Sequence, residues 1–178
     1  SVKDGEDNDD VASWEYVDGS CKRYAGEFKT SKGKKYAFRN DGRMIDGLKF
    51  INEDADFDVK AWDDENYPFD TEDDFDENSI HWEGLGYRCY YFGDGEDGAM
   101  KTGKTTIEID GENYNFYFEN AGGKKGQGVT GEKDDKYYQS GKLIEAGSDE
   151  KYQVVLRTKN GTENGKDVYA YRTLDDFD

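Results

Sequence analysis

The fold of this chain is set by one run of sequence, Cys89-Tyr90-Tyr91-Phe92 followed by Asp97-Gly98-Ala99-Met100-Lys101-Thr102-Gly103. The run consists of an aromatic triplet, a turn that contains glycine, a small or apolar residue and a closing glycine. The same order recurs in Lys35-Tyr36-Ala37-Phe38-Arg39-Asn40-Asp41-Gly42-Arg43-Met44-Ile45-Asp46-Gly47, with Ala37 in place of the middle aromatic residue. Recurrence of one such pattern along a chain indicates a repeat architecture.

Looser copies of the pattern follow further along the chain. They are Asp110–Phe118, Lys136–Gly147 and Tyr169–Arg172. Alternating aromatic and polar residues have the two-residue period of a half-buried β-strand, and glycine is at hand for tight turns. Since a single hairpin is only marginally stable in water, we expect the copies to stack and to share a core of rings.

The sequence therefore predicts an all-β fold of stacked β-hairpin repeats, which form a β-solenoid-like array within a single repeat domain of residues 1–178. Composition agrees, because only 33% of the residues are hydrophobic, while 22 Gly against one Pro supply many turns. We place the hairpin repeats approximately at 11–48, 82–104, 105–131, 132–147 and 150–173.

The net charge of the chain limits its partners. A formal charge of −18 argues against nucleic acid and anionic membranes, because phosphate recognition depends on clustered Lys and Arg. No apolar run approaches the roughly 20 residues that a membrane span needs. The chain begins with Ser1, which favours a mature or excised fragment.

One acidic segment, residues 53–77, interrupts the repeats with thirteen acidic side chains and one Lys. We interpret it as a solvated insertion or a degenerate repeat whose aromatic residues dock on the array. A weaker alternative is a calcium loop with Asp54, Asp56 and Asp58 as ligands. Phe57 stands where such a loop needs glycine, so the motif is incomplete.

The run from Trp82 to Gly103 resembles the choline-binding or cell-wall-binding repeat family, together with the related glucan-binding and clostridial toxin repeats. That family repeats a Gly-Trp start, a turn, Trp-Tyr-Tyr-Phe, a second turn ending in Asp-Gly, a small residue, Met, and a Thr-Gly close. The resemblance implies hairpins stacked into a β-solenoid. It also implies a secreted or cell-surface protein that binds wall choline, glucans or host glycans between successive repeats.

The aromatic residues that the family would use for binding are partly replaced here. Cys89, Lys35 and Lys136 stand where the family has Trp, so choline is the least expected of its ligands. Flat aromatic faces also stack on sugar rings, and the alternative role for each ring is core packing between hairpins. The candidate ligand-binding residues are Trp82, Tyr87, Tyr90, Tyr91, Tyr117, Trp14 and Tyr16.

The two cysteines occupy equivalent positions, because Trp14 precedes Cys21 by the same interval as Trp82 precedes Cys89. This equivalence favours a structural role. We predict a disulfide between Cys21 and Cys89, and two buried thiols are the alternative.

Nothing in the sequence predicts catalysis. His81 is the only histidine, its neighbours suggest a strand edge, and 42 acidic residues make any carboxylate pair uninformative. We therefore predict a non-enzymatic module without cofactor that binds bacterial wall polymer, glucan or host glycan. The alternative is a structural spacer or a protein-interaction module, whose partner would be a basic protein.

Overall fold

The computed structural model describes residues 2–3 and 16–17 by their backbone, and residues 24–61, 69–93, 95, 97–145 and 154–173 in full. Within these ranges the chain forms 14 short β-strands, one α-helix and one 3-10 helix, Gly122–Lys124. The elements are β1 (Val2–Lys3), β2 (Tyr16–Val17), β3 (Glu27–Ser31), β4 (Lys34–Phe38), β5 (Leu48–Asn52), β6 (Asp58–Lys60), α1 (Glu72–Gly84), β7 (Arg88–Tyr91), β8 (Gly103–Ile109), β9 (Glu112–Phe118), β10 (Gly131–Lys133), β11 (Lys136–Gln139), β12 (Lys142–Leu143), β13 (Val155–Glu163) and β14 (Lys166–Thr173).

The strands form small antiparallel sheets. One has the order β6-β5-β7, a second has the order β10-β11-β12-β9-β8, and the remaining described strands pair as β1-β2, β3-β4 and β13-β14. The prediction of a mostly β fold built from hairpins is confirmed at this level, with one helix that the sequence did not predict. Among the described residues, no helix is long and apolar enough to cross a bilayer.

Two-residue turns close the three longest hairpins. Lys32–Gly33 joins β3 to β4, Asp110–Gly111 joins β8 to β9, and Asn164–Gly165 joins β13 to β14. Both residues of each turn have positive φ, near 53° at the first position and near 79° at the second. This geometry belongs to type I′ turns, whose twist matches that of paired strands and which favour Asn or Asp followed by Gly.

One backbone hydrogen bond recurs in four of the predicted copies. It runs from an N–H after the glycine turn to the carbonyl of the middle residue of the aromatic strand. The pairs are Ile45 to Ala37 at 2.8 Å, Lys101 to Tyr91 at 2.8 Å, Val129 to Tyr117 at 3.0 Å and Ile144 to Tyr137 at 3.0 Å. Three residues before each donor lies a glycine with positive φ: Gly42, Gly98, Gly126 and Gly141. The copies therefore share one local structure.

Hydrogen bonds also join successive copies. The Met100 N–H donates to the Lys35 carbonyl at 2.7 Å, and the Gly128 N–H donates to the Cys89 carbonyl at 2.8 Å. Lys35 and Cys89 hold the same position in their copies, two residues before the middle of the aromatic strand. Each of these turns is thus bound to the aromatic strand of the copy before it.

Helix α1 begins within the acidic segment, which we predicted to be a solvated insertion or a degenerate repeat whose aromatic residues dock on the array. Thr71 caps it, since the Thr71 Oγ1 accepts a hydrogen bond from the Asp74 N–H at 3.1 Å. Acidic side chains fill the first turn, where they interact favourably with the helix dipole. Phe75, Ser79 and Trp82 are buried, at the spacing of one helical face. The helix therefore has one buried face, and this part of the segment is packed against the rest of the chain.

The helix packs on a cluster of buried residues that we call the main core. Its members are Leu48, Phe50, Ala61, Phe69, Phe75, Trp82, Tyr87, Cys89, Ile107, Ile109, Phe116 and Phe118. The Phe75 ring centroid lies 5.2 Å from that of Phe69, 5.4 Å from that of Phe116 and 5.9 Å from that of Phe50. Trp82 also contacts Phe50, with 5.1 Å between the ring centroids. The prediction that Trp82 opens a hairpin repeat is wrong, because Trp82 lies in α1 and continues the buried face of Phe75 and Ser79.

Candidate functional site

Most of the aromatic residues predicted to bind ligand lie in the core. Trp82, Tyr87, Tyr90 and Tyr117 are each less than one tenth exposed, while Tyr91 is half-buried. For the four buried rings the structure supports the alternative role of core packing, since hairpins with little aliphatic surface must bury their rings to fold.

The surroundings of two of these tyrosines show how the packing is achieved. The ring of Tyr90 lies 5.1 Å from that of Phe28, and burial raises the pKa of Tyr90 to about 12. Tyr87 donates its hydroxyl hydrogen to the Asp58 carboxylate at 2.5 Å. Of the earlier candidates, Trp14 lies outside the described residues, and Tyr16 is described by its backbone alone, in β2.

Tyr91 borders an open cleft of about 400 Å³ between the sheet of β5 and β7 and the β8–β9 hairpin. Ligand clefts in proteins usually have volumes of about 300–1,000 Å³. The described residues that line it are Asp46, Gly47, Leu48, Tyr91, Gly93, Gly95, Thr106, Ile107, Glu108, Ile109 and Asn113. We call this the β8 cleft.

The apolar surface of the β8 cleft belongs to the main core. Leu48 of β5 pairs directly with Tyr91 of β7, and both contact the cluster that contains Ile107 and Ile109. The ring of Tyr91 stacks on that of Phe118, with 6.2 Å between centroids and 19° between planes. Since its neighbours hold this ring in place, little side-chain freedom would be lost on binding a ligand.

The polar surface of the β8 cleft comes partly from the backbone. In the described part of the chain, β8 is the last strand of its sheet and pairs only with β9. Ile109 and Glu112 flank the two-residue turn and form a hydrogen-bonded pair. Because hydrogen-bonded and non-hydrogen-bonded pairs alternate along antiparallel strands, Thr106 and Glu108 each belong to a non-hydrogen-bonded pair. The N–H and C=O groups of Thr106 and Glu108 therefore point away from β9, toward the cleft that both residues line.

A second cleft, of about 210 Å³, lies beside the β13–β14 hairpin. The carboxylate of Glu83, at the end of α1, accepts hydrogen bonds there from Thr130 Oγ1 at 3.0 Å, from Gln139 Nε2 at 3.3 Å and from Ser140 Oγ. Burial raises the pKa of Glu83, although these hydrogen bonds oppose the shift.

Three other charged groups of the second cleft, Arg88, Glu119 and Glu163, also have partners within the chain. Arg88 forms an ion pair with Glu163, and Lys133 forms one with Glu119 at 2.9 Å. These contacts hold α1 and the last hairpin against the preceding repeats. The β8 cleft is therefore the better candidate for binding an external ligand.

Cys89 is a free, buried thiol in the structure, and its predicted disulfide partner Cys21 lies outside the described residues. Burial raises the pKa of the Cys89 thiol well above its usual value. The disulfide between Cys21 and Cys89 therefore stays a prediction.

No metal centre is found among the described residues, in which no three Asp, Glu, His or Cys side chains are grouped to hold an ion. The predicted calcium ligands Asp54, Asp56 and Asp58 do not form such a group. Asp58 is instead held by the Tyr87 hydroxyl and by Lys60, at 3.6 Å. His81 lies exposed in the last turn of α1 rather than at a strand edge.

Sequence reasoning identified Tyr91 and missed the rest of the β8 cleft. Asp46 and Thr106 are far apart in sequence, and only the folding of two repeats brings them to one cleft. The alternation Thr106-Ile107-Glu108-Ile109 was a usable signal, because its two-residue period indicates a strand with one polar face.

Comparison with known proteins gave structural neighbours only. No protein-family model and no curated protein sequence matches the chain. The solved structures that resemble it include choline binding protein F from Streptococcus pneumoniae, at 19% identity and a TM-score of 0.48, over 90% of this chain and 43% of that one. CbpJ from the same species has 22% identity and a TM-score of 0.24, over 74% and 39%.

A third neighbour is an alternansucrase in complex with isomaltononaose, at 15% identity and a TM-score of 0.25, over 88% of this chain and 12% of that one. This chain thus spans less than half the length of each of these proteins. At these identities and TM-scores the similarity does not define what this chain binds.

Proposed function

We propose that this chain is a non-catalytic glycan-binding repeat module of a secreted or cell-surface protein, and that it binds wall polymer, glucan or host glycan in the β8 cleft. The observation that carries the proposal is the meeting of a fixed aromatic and apolar surface with the outward backbone groups of β8. A sugar ring presents both an apolar face and a rim of hydroxyls, so it matches both parts of the cleft.

The β-solenoid-like array is part of this proposal. The hydrogen bonds from Met100 to Lys35 and from Gly128 to Cys89 hold a turn of one copy on the strand of the copy before it. Continued along the chain, this relation creates a groove between neighbouring copies. The β8 cleft has this position, since Asp46 closes one copy and Tyr91 belongs to the next.

The composition of the cleft favours sugar over choline. A quaternary ammonium group is held by several aromatic faces around the cation. Tyr91 is the only aromatic side chain among the described residues that line the β8 cleft. One ring gives a stacking surface for a sugar and does not make a cage.

Affinity electrophoresis tests the proposal, with wall polymer, α-glucan or mucin cast into native gels and a choline resin as a further arm. Thr106→Arg should abolish retardation, because Thr106 is an exposed lining residue and a long side chain there fills the cleft. Thr162→Arg is the matched control, since Thr162 is exposed on β13 and lines neither cleft.

Three results would contradict parts of this proposal. If none of these polymers retards the wild-type protein while circular dichroism shows it to be folded, glycan binding is wrong. Retention on the choline resin that Thr106→Arg removes would show that the cleft takes the cation instead. Shortened oligosaccharides after incubation would overturn the non-catalytic role, because a binding module returns its ligand unchanged.

A protein-interaction module is the second candidate, and the open edge of β8 favours it. The same outward N–H and C=O groups would pair with an extended peptide, which adds a strand to the sheet. The charge of −18 would steer a basic partner. Salt-sensitive capture of one basic protein, lost in Thr106→Arg and without any glycan retardation, would establish this alternative.

A further inference from the structure

The β8 cleft is acidic on two sides. Asp46, half-buried, comes from the segment before β5, and Glu108, exposed, comes from β8. Neither Lys nor Arg is found among the described residues that line this cleft. The second cleft differs, because Arg88 and Lys124 are among its lining residues. The absence of basic side chains is therefore a property of the β8 cleft and not of every cleft in this protein.

We infer that the ligand of the β8 cleft is a glycan with a free amino group, that is, an amino sugar without its N-acetyl group. The inference rests on the proposed function and specifies the sugar. A protonated amine donates charge-assisted hydrogen bonds to carboxylates, while the sugar ring stacks on Tyr91 and its hydroxyls meet the outward groups of β8. The N-acetylated sugar offers the same ring and hydroxyls without the positive charge.

The same charges disfavour the anionic alternatives. A sialylated glycan or a phosphate-rich wall polymer would bring negative charge beside Asp46 and Glu108, in a chain that is already strongly acidic. Because both carboxylates are reached by solvent, the attraction is screened by salt and contributes selectivity more than affinity.

The experiment compares two probes that differ only in the amine: a β-1,4-linked N-acetylglucosamine oligomer and its fully de-N-acetylated counterpart of the same length. Binding is measured by isothermal titration calorimetry at a mildly acidic pH, where the sugar amines are protonated. An oligolysine of equal length controls for attraction of any cation to an acidic protein. The proteins are wild type, Asp46→Asn, Glu108→Gln and Asp110→Asn.

The expected result is tighter binding of the amine oligomer by the wild type. Asp46→Asn and Glu108→Gln should each reduce this preference roughly three- to tenfold, while binding of the N-acetylated oligomer changes little. Asp110→Asn is the control, because it removes one negative charge from the hairpin that also carries Glu108. Asp110 lies at a turn position that favours Asn, and it does not line the cleft. It should leave the preference unchanged.

Other results of this titration would contradict either the amine inference or the proposed function. Equal binding of the two oligomers would overturn the amine inference and leave glycan binding in place. A preference that all three variants reduce equally, or that oligolysine reproduces, would assign it to the general acidic surface and overturn the inference. Failure of the folded wild type to bind either oligomer would overturn the inference, and failure in the polymer gels as well would overturn the proposed function.

Discussion

Phe75→Ala tests whether helix α1 belongs to the core. Phe75 is fully buried, and its ring meets those of Phe69, Phe116 and Phe50 at centroid distances of 5.2, 5.4 and 5.9 Å. Truncation of a buried Phe to Ala costs about 3–5 kcal/mol, because transfer free energy is lost and a cavity remains. In a chain of this length the melting temperature should fall by roughly 6–20 °C.

The assay is urea unfolding followed by tryptophan fluorescence, with a thermal melt as the second measurement. Glu77→Ala is the matched control, since Glu77 is exposed on the same helix and receives the same side chain. It should change the free energy of unfolding by about 0.5 kcal/mol or less. If both variants unfold at the same urea concentration, helix α1 does not pack on the core.

Three further predictions concern single residues. In a Cys21→Ser background, Cys89 should react slowly with a thiol reagent in the native protein and rapidly in denaturant, because it is buried and its pKa is raised. Burial raises the pKa of Glu83, so the folded state binds the proton of this carboxyl group more tightly than the unfolded state does. The stability that results is present below the ordinary pKa of 4.5, and it is lost as the pH rises through the pKa of the folded state. Glu83→Gln does not titrate, so urea unfolding should show its free energy of unfolding rising relative to wild type as the pH increases. Gly128→Ala should lower the free energy of unfolding by about 1–3 kcal/mol, because its Cβ would lie 2.6 Å from backbone atoms of the facing turn, whereas Gly123→Ala meets nothing within 4 Å.

These predictions would fail in recognisable ways. Rapid native labelling of Cys89 would contradict its burial. Parallel pH profiles of wild type and Glu83→Gln would show that this carboxylate has the same pKa in both states. Equal free energies of unfolding for the two alanine variants would contradict the close approach of the turns at position 128.

The repeat architecture could be predicted because its local signals lie close together in sequence. An aromatic strand, a glycine turn and a closing glycine recur, and the structure gives four copies the same backbone hydrogen bond. The later copies looked degraded because their turns differ in length. The number of residues between the carbonyl that accepts this hydrogen bond and the glycine of the turn is smallest from Tyr137 to Gly141 and largest from Tyr117 to Gly126. These residues hold equivalent places in their copies although the spacing between them differs.

Helix α1 was missed because charge concealed its periodicity. Phe75, Ser79 and Trp82 have the spacing of a helical face, but the acidic residues around them made the segment resemble a solvated loop. The β8 cleft could not be predicted as a whole, since it depends on how two repeats and a hairpin meet. Tyr91 was found through its place in the repeat, and Asp46 and Glu108 had no local signal that set them apart from the other acidic residues.

The helix also has an evolutionary consequence for the repeats beside it. Cys89 stands where the resembling family has Trp, and its core cluster contains Phe75 and Trp82 from α1. Aromatic volume that the Trp of such a repeat would supply is here supplied by the neighbouring helix. We therefore expect homologues without this helix to carry a large aromatic residue at the position of Cys89, so that the helix and the small residue are gained and lost together.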